Sequence, residues 1–146
     1  MRKIKFRGYS KELKKWVFGD LIQDSEDVFF IAKEKTIGRV GGGAYNIHSG
    51  IGWDDDNYYD ISIVEKSSIG QYVGLKDENG KEVYEGDIIK SQFLRKNGII
   101  KYANDKVCFM AKISTNEWHF ISDLYDLEII GNIYENSELL KESKCQ

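Results

Sequence analysis

Residues 3–9, Lys-Ile-Lys-Phe-Arg-Gly-Tyr, alternate basic and apolar as far as Gly8. A period of two places Ile4 and Phe6 on one face of a strand and Lys3, Lys5 and Arg7 on the other, solvated face. Residues 10–15 are polar and turn the chain, and 16–22 resume an apolar run, so the pattern predicts a hairpin. Charge on an exposed strand face also protects a sheet edge from further pairing. Residues 28–32 are a short, fully apolar strand. The pattern then fails: Gly38-Arg39-Val40-Gly41-Gly42-Gly43 and Ser49-Gly50-Ile51-Gly52 bracket a stretch without period that runs on to Tyr59. This predicts a long loop within 24–60 and a boundary between two parts of the chain. Residues 60–65 read as another strand.

The second half is more regular. Residues 69–75 and 81–84 flank Asn79-Gly80, a dipeptide that favours a two-residue type I′ hairpin turn. Glu85-Gly86-Asp87 makes a further turn. Residues 88–93 and 99–102 are strands joined through Asn97-Gly98, and strands follow at 106–113, 118–121 and 127–133. Asn136 stands as an N-cap before Leu139 and Leu140, which predicts one short C-terminal helix. Strands separated by turn signals at about 8–12 residues point to a small barrel or sandwich. The division expected is 1–65, an N-terminal β-hairpin region with a Gly/Asp-rich loop, and 66–146, a β-barrel region ending in the helix.

Composition changes this picture in one respect. The 146 residues contain no proline, so 14 Gly carry most of the backbone punctuation. Proline-rich linkers and ligands are thereby excluded. No run approaches the ~18 apolar residues of a membrane span, and the basic start, Met1 to Arg7, has no apolar segment after it, so no secretory signal is expected. Cys108, in an apolar run, and Cys145 form no disulfide framework, which suits a reducing cytoplasm. Charge is uneven: residues 1–16 hold seven Lys/Arg against Glu12, and residues 17–60 hold nine Asp/Glu against three Lys/Arg, within a net charge of −3. A basic strip interleaved with aromatics, Lys5, Arg7, Tyr9, Lys14, Lys15 and Trp16, is the pattern that takes nucleic acid in some barrels. Overall acidity weighs against that, and the split equally allows complementarity between subunits.

Catalytic signatures are sparse. Asp54-Asp55-Asp56 cannot converge on one cation if extended, and the spacing of a calcium loop is missing. His48 and His119 lie in no zinc-ligand frame. Cys108 with His119 would make a nucleophile and base, but Cys108 sits between apolar neighbours, which favours an inert thiol. Gly38 to Gly43 lacks the Gly-Lys-Ser/Thr of a phosphate loop. No catalytic residue, metal or cofactor is expected.

The stretch Gly70-Gln71-Tyr72-Val73-Gly74-Leu75-Lys76-Asp77-Glu78-Asn79-Gly80-Lys81-Glu82-Val83-Tyr84-Glu85-Gly86-Asp87-Ile88-Ile89 closely resembles the central signature of the YopX family. The opening Ile4-Lys5-Phe6-Arg7-Gly8-Tyr9 and the closing residues 129–140, with Ser137 where the family usually has Pro, are similar to it as well. The resemblance implies a small phage- or prophage-encoded protein of the bacterial cytoplasm, mainly β, with an N-terminal β-hairpin, an SH3-like small barrel and one short C-terminal helix. It implies no known catalytic residues. Gly86, Asp87, Gly131 and Asn132 have backbone explanations. Gln71, Tyr72, Tyr84 and Glu85 do not, and complete the candidate binding surface. The expected role is a non-enzymatic module that self-associates or binds a host or phage protein, with nucleic-acid binding as the alternative and no membrane partner.

Overall fold

The first hairpin forms where the alternation predicts it, in a computed structural model that describes residues 1–35, 51–54 and 57–141. β1 (Phe6–Ser10) pairs antiparallel with the first half of β2 (Lys15–Gln23), Phe6 opposite Gly19 and Ser10 opposite Lys15. From Asp20 onward β2 pairs instead with β3 (Phe29–Lys35), Asp20 opposite Ala32. Gly19 is thus the corner at which one strand changes partner. A Cβ there would stand 2.1 Å from the Ala32 carbonyl oxygen, so only glycine lets β3 come so close.

β4 (Ile51–Asp54) and β5 (Asn57–Val64) extend this sheet in the order β4-β5-β3-β2-β1. They occupy part of the expected loop. Trp53 stands opposite Tyr58, and Asp54 opposite Asn57. β5 pairs with the whole of β3, from Phe29 opposite Val64 to Lys35 opposite Tyr58. The sheet curls, so the end of β5 returns over β1: the Glu65 N–H donates to the Tyr9 carbonyl at 3.0 Å. Val64 sits where a Cβ on Gly8 would meet it at 2.7 Å. Phe30, Ala32 and Ile61 form the buried cluster of this part, with Ile22 and Val28 against them. The Gly-rich run of 38–50 with His48, together with Asp55, Asp56 and Cys145, lies outside the described residues.

The chain divides into two compact units, Ile4–Ile69 and Met1–Lys3 with Gly70–Gln146. In the second, β6 (Gly70–Lys76) and β7 (Glu82–Tyr84) make a hairpin. β8 (Asp87–Lys90), β9 (Gly98–Ala103), β10 (Cys108–Lys112), β11 (Trp118–Phe120) and β12 (Glu128–Asn132) form a sheet in the order β11-β10-β9-β8-β12. The closed SH3-like barrel expected for 66–146 is not found among the described residues. The sheet ends at β11, a strand of three residues, and at β12, whose outer edge is taken by the 77–81 turn: the Glu78 N–H donates to the Leu127 carbonyl at 2.9 Å and the Ile129 N–H to Asp77 Oδ2 at 3.1 Å. Val83, Ile89, Ile100 and Ala111 fill the core of this unit with Ile121, Leu124, Leu127 and Ile129.

Three turns explain much of the central and closing sequence. The Asn79-Gly80 turn is not type I′, which needs positive φ at both central residues; Gly80 has φ 79° and Asn79 is not among the positive-φ residues. Asp77 shapes it instead. Its buried carboxylate accepts N–H groups of Asn79 at 2.9 Å and Lys81 at 2.8 Å through Oδ1, and of Ile129 at 3.1 Å through Oδ2. Asp87 acts alike at the next turn, its Oδ2 accepting the Tyr84 N–H at 2.8 Å, beside Gly86 at φ 88°. At the end of β12, Asn132 Oδ1 accepts the N–H groups of Tyr134 and Glu135. The expected C-terminal helix is one 3-10 turn, Ser137–Leu140. Asn136 does not cap it, because its Oδ1 reaches back to the Asn132 N–H at 3.2 Å.

The link after β8 carries a pH-sensitive clip. Asp126 accepts the Ser91 hydroxyl at 2.5 Å and the Gln92 N–H at 2.7 Å. These bonds, the hydroxyl first, hold its carboxyl below the usual carboxylate range. A depressed folded pKa means the contribution is complete above the unfolded value near ~3.9 and fades as pH falls through the folded one. Thermal melts from neutral pH downward should show wild type above Asp126→Asn at neutrality, the gap closing in acid. A gap constant to the lowest pH would show that the charge is not what holds the link.

Candidate binding cleft

Two of the ten residues singled out from sequence meet at one place. Gln71 on β6 and Glu85 after β7 line a cleft of about 700 Å³ in the second unit. The hairpin brings them together, since the Glu85 N–H donates to the Gln71 carbonyl at 2.9 Å. The floor is apolar: Val73, Leu75 and Phe109 face it from positions packed against the main core, and Ile121 belongs to that core. The cleft is therefore an unfilled mouth of the core. Tyr102 and Phe109, opposite each other on β9 and β10, form an edge-to-face pair at 5.3 Å on its wall. Arg2, Glu85 and Ser122 add polar groups. An apolar floor with a few polar groups and a volume within ~300–1,000 Å³ is the usual make-up of a ligand site.

The lip is unusual. Val107, at the turn from β9 to β10, has φ 57° and is 73% exposed. Its N–H donates to the Ala103 carbonyl at 2.8 Å, which fixes the turn. A left-handed backbone costs an L-residue roughly 1–2 kcal/mol and is rare for β-branched side chains. So exposed a valine recovers little by burial within its own chain. Val107→Asn should therefore raise stability by about 1 kcal/mol, seen as a higher urea midpoint at constant slope. A lower midpoint would mean that the valine is held by packing.

Tyr72 and Tyr84 do not line the cleft. Both are buried, opposite each other in the hairpin with rings 5.6 Å apart, and the Tyr84 hydroxyl donates to Glu82 at 2.9 Å. The other six belong to the first unit. Arg7 does not share a solvated face with Lys3 and Lys5. It is buried, its guanidinium 4.9 Å over the Trp16 ring, an aromatic face that pairing with β2 brings across to it. Tyr9 meets Trp16 edge-on at 5.7 Å. Lys5 is half-buried, Lys14 is exposed in the turn at φ 52°, and Lys15 borders a smaller hollow of about 180 Å³ beside Trp16, Phe18 and Lys33. Cys108 and His119 are not brought together: His119 stands opposite Ala111, and its ring contacts Glu117 at 3.1 Å.

Arg2, Tyr102, Val107, Phe109 and Phe120 carry no signal in the sequence that marks them as cleft residues. Their neighbourhood comes from the β9–β10–β11 register, and nothing in Asn104-Asp105-Lys106-Val107 signals that the valine, rather than Asn104, takes the left-handed position. Among the described residues no helix is long and apolar enough to cross a membrane.

Residues 5–141 match the family described as YopX protein. No curated protein matches the chain. Among solved structures, protein EF1440 from Enterococcus faecalis is similar, with 24% identity over 96% of this chain and 99% of that one and a TM-score of 0.49. A match over nearly the whole length, through the β1 strand, the Asp77 and Asp87 turns and the Asn132–Asn136 closure, makes this chain a member of the YopX family.

Proposed function

We propose that this protein is a non-enzymatic, protein-binding β module, encoded by a phage or prophage and working in the bacterial cytoplasm, whose cleft beside Gln71 and Glu85 receives apolar side chains of a polypeptide partner. The observation that carries this reading is the apolar floor of Val73, Leu75, Phe109 and Ile121, continuous with the core yet open at the surface. Water in contact with such a floor is released when a partner covers it, which is the main favourable term in protein association. Phe120, half-exposed on the wall, is the natural point of attack. In affinity purification from phage-infected host cells, the wild type should retain a polypeptide that Phe120→Asp loses. Equal recovery by both would count against the cleft.

A second reading has its own observation. Lys15 and Lys33 share the smaller hollow with Trp16 and Phe18, a basic and aromatic grouping suited to single-stranded nucleic acid. Asp60 in the same hollow weighs against it. Fluorescence polarisation at low salt, where phosphate attraction is strongest, should give no binding of single-stranded oligonucleotides. Binding abolished by Lys15→Glu with Lys33→Glu would install this reading in place of the first.

A further inference from the structure

We infer that the cleft captures the C-terminal end of a partner polypeptide, with the terminal carboxylate on Arg2 and the last side chain, a large apolar one, on the floor. The inference rests on the protein-binding reading above and names the part of the partner that enters.

The two charges that border the cleft are not equivalent. Glu85 is already engaged: its carboxylate accepts the Tyr102 N–H at 3.4 Å, and it has a further interaction within the protein. Arg2 is exposed, and among the described residues its side chain makes no ion pair or hydrogen bond. The half-buried Gln71 carboxamide makes none either. The open polar capacity of the cleft is thus mainly that of donors, with a guanidinium foremost. An anionic group is its complement, and a guanidinium takes a carboxylate in bidentate fashion.

Arg2 also stands where an anion and an apolar group must arrive together. Its stem lies along Gly74 of β6, with Cδ 3.7 Å and Cγ 3.9 Å from where a Cβ would stand. Gly74 separates Val73 from Leu75, so the guanidinium leaves from beside the floor. The last residue of a chain bears its carboxylate and its side chain on one Cα, and offers both at that spacing. Within an extended segment, neighbouring side chains point to opposite faces, so an acidic residue and the apolar residue next to it do not enter one cleft together. The size agrees. About 700 Å³ takes a few side chains, whereas a partner face of ordinary extent, about 800 Å² a side, needs a broad surface. Val107 and Phe120, exposed at the rim, gain an apolar neighbour when the last side chain is seated.

Hexapeptide pools randomised at their first four positions and ending in two leucines test this, one pool a free acid and the other a C-terminal amide. Each is titrated into the isotopically labelled full chain and followed by amide NMR, from about 10 µM to about 2 mM so as to span weak affinities. The free-acid pool should shift the amides of Val73, Phe109 and Ile121, with an apparent Kd at least about tenfold below that of the amide pool. Arg2→Glu, at an exposed position, should weaken the free acid by at least about tenfold and leave the response to the amide pool unchanged, a split that a merely structural change does not produce. Hexanoate should bind at least about tenfold more weakly than the free-acid pool, because it lacks the peptide groups that precede a chain end. Acid and amide pools of equal affinity, no shift by the free-acid pool, or hexanoate binding as tightly as the peptides overturns the inference. In the capture experiment, Arg2→Glu should lose the same polypeptide as Phe120→Asp. Loss with Phe120→Asp alone overturns the chain-end inference and leaves the protein-binding reading standing, and retention by both variants counts against both.

Discussion

Asp77→Ala should cost the second unit about 3 kcal/mol, a large share of the ~5–15 kcal/mol that holds a domain folded. The carboxylate is buried and serves three N–H groups on two segments far apart in sequence, the 77–81 turn and β12. Removing it does not cost the three bonds equally. Asn79 and Lys81 are exposed, so water replaces the carboxylate at their amides. The buried Ile129 residue has no such substitute, and its amide is left with the full desolvation penalty. The Glu78 N–H, bonded to the Leu127 carbonyl at 2.9 Å, runs between the same two segments and loses its support as well. Asp77→Asn keeps one acceptor oxygen and turns a donor toward one of the same amides, so it should fall between wild type and alanine. Urea unfolding followed by tryptophan and tyrosine fluorescence measures this. An alanine variant within about 0.5 kcal/mol of wild type, the usual range of an inert surface change, would show that the carboxylate is a local turn former with no role in holding β12.

Gly19→Ala should be as damaging for a different reason. The added methyl would lie 2.1 Å from the Ala32 carbonyl oxygen and 2.8 Å from its carbon. Both are backbone atoms of β3, in the segment where Asp20 pairs with Ala32 and Leu21 with Ile31. No side-chain rotation relieves such a clash. Either β3 moves and lengthens those bonds, or β2 loses its change of partner. Both routes strain Ile31, Ala32 and the Phe30 cluster, at a cost of about 3 kcal/mol or more. Gly80→Ala provides the contrast. Gly80 has φ 79° but nothing within 4 Å of a Cβ, so only the left-handed backbone is penalised, by about 1–2 kcal/mol. If the two alanines cost the same in equilibrium unfolding, the close approach of β3 to Gly19 contributes nothing beyond backbone preference.

The opening hairpin, the strands of the second half and the turn at Glu85-Gly86-Asp87 are legible from the sequence because each is set locally. Alternating side chains define a strand face, and an Asp beside its own backbone defines a turn. β4 and the first residues of β5 were hidden for the opposite reason. Ile51-Gly52-Trp53-Asp54 has little pattern of its own, and a strand owes its hydrogen bonds to a neighbour supplied from elsewhere in the chain. The barrel expected for 66–146 fails on the same ground, since closure depends on what the edges of β11 and β12 can pair with. Gln71 and Glu85 were identifiable as residues without a fold-only task. Their companions at the cleft were not, because Tyr102, Val107 and Phe120 meet through strand register.

A β-rich chain punctuated by glycine, with no proline, and carboxylates that shape its turns follow from the order of its residues alone. Side-chain alternation and short-range hydrogen bonding act within a few residues, so they are written in order along the chain. That Arg7 stacks on Trp16 and is not in solvent, that the second sheet stays open, and that a strained valine stands at the lip of an apolar cleft are consequences of the assembled fold. Those outcomes depend on which strands become neighbours, and the energy of a neighbour is set by burial and close approach across the fold.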